Sequence, residues 1–126
     1  MTATAWAHLP NAKHIDRILA SLAAHPEKWE AAWTETQTAT YIEAWDAAYI
    51  AGRGPERIAA RNAVWTKTRT VARGAGGGAI TALVAWDDCA YMLELPEDAL
   101  KLLRAVGNEQ ALLLSAAANI LKETSC

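Results

Sequence analysis

The chain has 126 residues, of which 52% are apolar and 21% are charged, and its formal net charge at pH 7 is −2. This composition excludes an intrinsically disordered chain, and the length suits one domain that buries a core without disulfides or a structural metal. The slightly negative charge also argues against general nucleic-acid binding, for which a basic domain is typical.

Alanine occupies 29 positions, phenylalanine is absent, and no segment shows the sustained alternation that is typical of strands. Because alanine is the strongest helix former, we predict an all-α fold, a compact bundle of five to six helices. The bundle is expected to form a single domain over residues 1–126, with residues 1–10 as an N-terminal extension.

Three Pro-Glu pairs predict helix starts, at residues 26–27, 55–56 and 96–97. Proline suits the first helical position, and a glutamate in the first turn faces the positive end of the helix dipole. A first helix, at 11–24, precedes these pairs, with Asn11 as its N-cap.

The second predicted helix runs from residue 26 towards residue 51 and carries an aromatic face. Threonines in the stretch 34–40 weaken it, so that a bend or a break there stays open. Most of the six tryptophans are expected in the core, whereas Trp6 and Trp29 are expected to be more exposed, being near a terminus and a helix start.

The third predicted helix spans residues 55–73. The glycine-rich stretch 74–78 predicts a flexible connector or a distorted helix start, because each glycine destabilises a helix by about 1 kcal/mol relative to alanine. The fourth helix, at 79–95, is apolar around most of its circumference and is therefore predicted to be central.

The last two predicted helices are separated by Gly107, which suits the left-handed position after a helix. The fifth spans residues 96–106, and Asn108 is expected to cap the sixth. The stretch 111–121 of the sixth helix is nearly all apolar, so it is either a core helix or an oligomer contact, and a homodimer follows from the second alternative.

Positive charge is concentrated in residues 53–73, where six Arg or Lys side chains stand against Glu56, a formal charge of +5. Arginines four residues apart present two guanidinium groups on one helix face, where they could hold an anion while an indole stacks on a base. The alternative is a solvated face paired with the acidic helices. The candidate binding residues here are Arg53, Arg57, Arg61, Asn62, Trp65, Arg69 and Arg73.

Asp87 and Asp88 are adjacent acids inside the apolar fourth helix, where the two carboxylates are not both expected to reach water easily. A buried carboxylate needs a cation or several donors. One interpretation is an ion pair with an arginine of the third helix, and the other is a ligand-binding or catalytic acid.

No cofactor or metal site is predicted. His8, His14 and His25 lack the spacing of a helical metal site, and the glycine run lacks the Lys-Ser/Thr end of a phosphate-binding loop. Cys89 and Cys126 form no disulfide framework, and the first residues do not resemble a secretory signal, so we expect a cytoplasmic protein.

Several segments carry a resemblance to a known group. They are Glu-Ala-Ala-Trp at 30–33, Ala-Trp-Asp-Ala-Ala at 44–48, Ala-Ala-Arg-Asn-Ala at 59–63 and the segment 79–93 with its Ala-Trp-Asp-Asp-Cys-Ala-Tyr. These segments resemble short Ala- and Trp-rich helical proteins of phages and bacterial mobile regions, some of which carry an immunity-protein label.

The resemblance implies a non-enzymatic phage-type protein that inhibits a host defence system in the host cytoplasm. It would act by stoichiometric binding of a protein component or of an anionic nucleotide signal, and it implies no catalytic residue. One alternative is an immunity protein that neutralises a cognate toxin, and a second is a small enzyme that uses Asp87 or Asp88.

Overall fold

The computed structural model describes residues 6–32, 38–68 and 75–124, and every regular element in these ranges is helical, which confirms the all-α prediction. None of these helices combines the length and the apolar character of a membrane span. The α-helices are α1 (Ala12–Ala24), α2 (Pro26–Ala31), α3 (Ala39–Ala51), α4 (Pro55–Thr68), α5 (Ala75–Ala85), α6 (Glu97–Ala105) and α7 (Glu109–Thr124), and a 3-10 helix spans Ala90–Glu94.

The described ranges hold seven α-helices instead of five to six because the predicted second helix is divided. Thr38 has an extended backbone, and its hydroxyl oxygen accepts a hydrogen bond from the Tyr41 backbone N–H. This N-cap starts α3 as a new helix. The predicted fourth helix is also shorter than expected, since α5 ends at Ala85 and a turn and the 3-10 helix follow.

Helix α5 is central, as predicted, although it begins earlier and ends earlier than the sequence suggested. Every residue from Ala75 to Val84 is buried, and α5 packs against α1, α3, α4 and α7. Of the two alternatives predicted for 74–78, the connector is wrong and the helix start is right for residues 75–78, which form the first turn of α5; Gly74 lies outside the described residues.

The glycines of α5 are explained by close contacts with two other helices. A Cβ atom on Gly78 would lie 1.8 Å from the Tyr41 hydroxyl oxygen of α3, and one on Gly76 would lie 3.0 Å from Leu22 Cδ2 of α1. Only a residue without a Cβ lets Tyr41 lie against the backbone of α5. The tight packing that results compensates for the low helix propensity of glycine.

Asn11 precedes α1, as expected of an N-cap, but its side chain caps nothing in α1. Its buried amide nitrogen donates to the carbonyl oxygens of Leu83, at 2.9 Å, and Trp86, at 2.8 Å. Asn11 therefore satisfies carbonyls at the C-terminal end of α5, which a helix leaves without intrahelical partners. By contrast, the predicted cap Asn108 is confirmed, since its Oδ1 accepts from the Ala111 N–H at 2.9 Å.

Trp6 and Trp29 are both buried, so the prediction that they are exposed is wrong. The Trp6 indole N–H donates to Asp16 Oδ1 at 2.8 Å, and that of Trp29 donates to Ser21 Oγ at 3.0 Å. Each indole has a hydrogen-bond acceptor on α1, which removes the main penalty for burying its polar edge.

Helix α7 buries eight of its residues inside the chain, including Leu113, Leu114 and Ile120. The apolar stretch of α7 is therefore part of the core of the chain. The homodimer stays a prediction.

Gly78→Ala should lower the free energy of unfolding by about 2 kcal/mol or more, because the added methyl group displaces Tyr41 and this overpacking outweighs the gain in helix propensity. Chemical denaturation measures the change. Gly54→Ala is the matched control, since no atom lies within 4 Å of the Cβ that it adds. Equal stability of the two variants would contradict the close approach of α3 to α5.

Asn11→Asp should lower the free energy of unfolding by about 2 kcal/mol, because a carboxylate cannot donate to the Leu83 and Trp86 carbonyls. Asn108→Asp, at a true side-chain cap, should leave stability within about 0.5 kcal/mol of the wild type, since aspartate is an equally good N-cap. Thermal unfolding at pH 7 compares the two variants. A stable Asn11→Asp protein would mean that Asn11 acts as a helix cap after all.

Candidate binding surface

Helix α3 presents three aromatic side chains at intervals of four residues. Tyr41 is buried, whereas Trp45 and Tyr49 are partly exposed. The rings of Tyr41 and Trp45 meet edge to face with centroids 5.9 Å apart, and those of Trp45 and Tyr49 are stacked at 6.4 Å. Because residues i and i+4 lie on one helix face, the ladder leads from the core at Tyr41 to the surface at Tyr49. Burial raises the pKa of Tyr41 well above its usual value.

Helix α4 adds an arginine and a tryptophan to the outer end of this ladder. Trp65 meets Tyr49 edge to face with ring centroids 5.8 Å apart. The Arg61 guanidinium carbon lies 4.1 Å from the centroid of the Tyr49 ring and 5.3 Å from that of Trp65. Both distances are within the range of cation–π attraction. We call Trp45, Tyr49, Arg61 and Trp65 the aromatic–arginine face.

Arg57 lies one turn before Arg61 on α4 but has different partners. Its two terminal nitrogens donate to the two carboxylate oxygens of Asp87, at 2.8 and 3.0 Å, and Nη1 also donates to the Val84 carbonyl at 2.5 Å. This two-pronged ion pair lowers the pKa of Asp87 and raises that of Arg57. Arg57 and Arg61 therefore do not present two unpaired guanidinium groups on one helix face, as their spacing suggested.

Asp87 and Asp88 are both exposed, which contradicts the expectation that they lie in an apolar helix. They occupy the turn after α5, where the chain has already left the helix. The predicted ion pair with an arginine of the third helix is confirmed for Asp87. Asp88 lies beside it in the same turn.

Arg53 and Asn62, the other candidates within the described ranges, are exposed; Arg69 and Arg73 lie outside those ranges. The structure thus brings Arg61 and Trp65 together and pairs Arg57 with Asp87. Trp45 and Tyr49 were missed as surface residues because the aromatic spacing of α3 was interpreted only as a helix face. The four-residue spacing that leads from Tyr41 to Trp45 and on to Tyr49 is the signal that could have identified them.

Within the described ranges, no group of three or more His, Cys, Asp or Glu side chains is placed to hold a metal ion. Cys89 is a buried free thiol whose Sγ donates to the Trp86 carbonyl at 3.2 Å. Burial raises its pKa to about 12, so the thiol stays protonated at neutral pH.

A cavity of about 370 Å³ lies between the start of α3 and helices α6 and α7. Its polar groups already have partners inside the chain. Arg104 donates to Glu97 at 2.8 Å, and the Ser115 hydroxyl donates to the Ala111 carbonyl at 2.5 Å. The lining therefore does not single out a ligand chemistry, and the aromatic–arginine face remains the stronger candidate.

Comparison with known proteins finds no matching family model, no similar curated protein and no similar solved structure.

The Arg57–Asp87 pair should make a pH-dependent contribution to stability. Because the pKa of Asp87 is lowered on folding, the contribution is present above the ordinary carboxyl value of 3.8 and is lost as pH falls through the lower folded value. The Asp87 side chain is 49% exposed, so solvent screening keeps the contribution below about 1 kcal/mol.

Unfolding of the wild type and of Asp87→Asn, measured from pH 7 to pH 2, tests this contribution. The difference between the two proteins should be largest near neutral pH and should disappear in acid. Asp88→Asn is the matched control with the same change of charge in the same turn. A difference that persists at pH 2 would show that Asp87 acts through packing and not through its charge.

Proposed function

We propose that this chain is a non-enzymatic binding protein that inhibits a host defence system by stoichiometric binding of a protein component. Its contact surface is the aromatic–arginine face on α3 and α4. The resemblance of its Ala-Trp-Asp segments to phage and mobile-element proteins supplies the biological setting, the cytoplasm of an infected host. The observation that carries the proposal is the position of Arg61 against Tyr49 and Trp65.

Tryptophan, tyrosine and arginine are the residue types that dominate the energetics of protein–protein interfaces. On this surface all three are partly exposed and touch one another. The rings restrict the arginine before any partner binds, which reduces the side-chain entropy lost on association. A rigid group of this kind supports recognition of a protein surface.

The anchoring of the face also supports this proposal. Tyr49 is two turns from Tyr41, which is buried against the backbone of α5 at Gly78. On α4, Arg57 is joined to the turn after α5 through Asp87. Both helices are therefore attached to the central helix near the face, and the relative position of Tyr49 and Arg61 follows from the fold.

Arg61→Glu should strongly weaken binding to the partner, because it places a carboxylate where the partner meets a cation. The expected loss of affinity is about tenfold or more, as for other central charged residues of interfaces. The tagged protein is purified from phage-infected cells, and co-purifying proteins and nucleotides are quantified by mass spectrometry. The partner is then produced separately, and its activity is titrated with the purified chain.

Lys101→Glu is the matched control, because it makes the same change of charge at an exposed position of α6. We expect the wild type and Lys101→Glu to retain one partner protein at a one-to-one ratio, and Arg61→Glu to lose it. An equimolar amount of the wild-type chain should fully inhibit that partner. Equal retention by all three proteins would contradict the contact surface. Full inhibition of the partner by far less than one chain per partner molecule would indicate turnover and therefore an enzyme.

A further inference from the structure

Four arginines in the described ranges are partly buried, and three of them are bound to a carboxylate of the same chain. The three pairs are Arg17–Glu94 at 2.7 Å, Arg57–Asp87 at 2.8 Å and Arg104–Glu97 at 2.8 Å. The fourth, Arg61, has no carboxylate partner among the described residues. Among the described residues, Arg61 is thus the one partly buried arginine that has no ion pair within the chain.

The nitrogens of Arg61 differ in their surroundings. Nε is buried and has no hydrogen-bond acceptor in the described part of the chain. The two terminal nitrogens also have no hydrogen-bond acceptor there, and unlike Nε they are not fully buried. An acceptor can therefore approach Arg61 only end-on, at Nη1 and Nη2.

The aromatic rings restrict this approach further. The Arg61 guanidinium carbon lies 4.1 Å from the centroid of the Tyr49 ring and 5.3 Å from that of the Trp65 ring. Cation–π contacts of this kind hold the plane of the guanidinium but leave its N–H groups without acceptors. A planar pair of donors held in this way matches the two oxygens of a carboxylate.

The local charge favours an acceptor with a single negative charge. The charge of Arg57, one turn away, is already balanced by Asp87. Asp46 is exposed on α3 and lies three residues before Tyr49, so it adds a negative charge on the neighbouring helix turn. One carboxylate is therefore enough to neutralise Arg61.

We propose that Arg61 receives an Asp or Glu side chain of the partner protein, bound end-on by its two terminal nitrogens against Tyr49 and Trp65. This inference rests on the proposed function for the site, and it specifies the chemistry of the partner. The partner surface therefore presents an acidic side chain at the centre of the contact.

A blocked peptide of six glutamates is the probe, and a blocked peptide of six glutamines and inorganic phosphate are the comparison ligands, all at equal ionic strength. Binding to the full chain is followed by the NMR signals of the Arg61 Nε–H and the Trp65 indole N–H. We expect saturable shifts with the glutamate peptide, none with the glutamine peptide, and weaker binding of phosphate. Arg61→Gln should weaken binding of the glutamate peptide by about tenfold.

Lys101→Gln is the matched control, because it removes the same charge from an exposed residue of α6. It should retain most of the affinity. An equal loss in the two variants would overturn the inference by showing general charge attraction, as would stronger binding of phosphate. The wild-type comparison of the three ligands needs no variant, so the inference can be tested even if Arg61→Gln does not fold.

The peptide experiment uses no cellular partner and is therefore independent of the test of the proposed function. Binding of the glutamate peptide, together with unaltered retention of the cellular partner by Arg61→Glu, would support the carboxylate site and reject the proposed contact surface for that partner. A partner lost from Arg61→Glu without any glutamate binding by the wild type would reject the carboxylate site alone.

Discussion

The contact between Tyr41 of α3 and the backbone of α5 at Gly78 is the constraint on which the candidate surface depends. A side chain at Gly78 would occupy the space of the Tyr41 hydroxyl, so the two helices approach each other only because a glycine is present. Tyr41 starts the aromatic ladder, and its burial determines which face of α3 is directed outward. Trp45 and Tyr49 follow at intervals of four residues, and Tyr49 meets Arg61 and Trp65 of α4.

The C-terminal end of α5 shows how distant residues terminate a helix. Asn11 donates to the Leu83 and Trp86 carbonyls, and Arg57 donates to the Val84 carbonyl. Carbonyls at this helix end are thus bound by the segment before α1 and by α4. The chain can then turn at Asp87, whose carboxylate completes the contact with Arg57. The same arginine therefore supports the helix end and holds α4 beside it.

Local sequence signals predicted the starts of several helices and part of the site. Pro26 and Pro55 begin helices and Asn108 caps one, and the ion pair between Asp87 and an arginine of the third predicted helix was one of the two interpretations of the adjacent acids. These features depend on neighbouring residues or on simple charge complementarity. The predictions that were wrong depend on contacts far apart in sequence. Gly78 is helical because Tyr41 packs on it, and the exposure of Asp87 follows from a helix end that Asn11 and Arg57 stabilise. Neither contact leaves a periodic pattern that sequence reasoning can detect.

The central claim is that α5 positions the ladder of α3 so that Tyr49 meets Arg61. Nuclear Overhauser contacts in the isotope-labelled full chain test this claim most directly. We expect contacts between the Tyr41 ring protons and the Gly78 α-protons, and between the Tyr49 ring and the Arg61 side chain, in the same sample. Strong contacts from the Tyr41 ring to a helix other than α5, together with none between Tyr49 and Arg61, would contradict the claim.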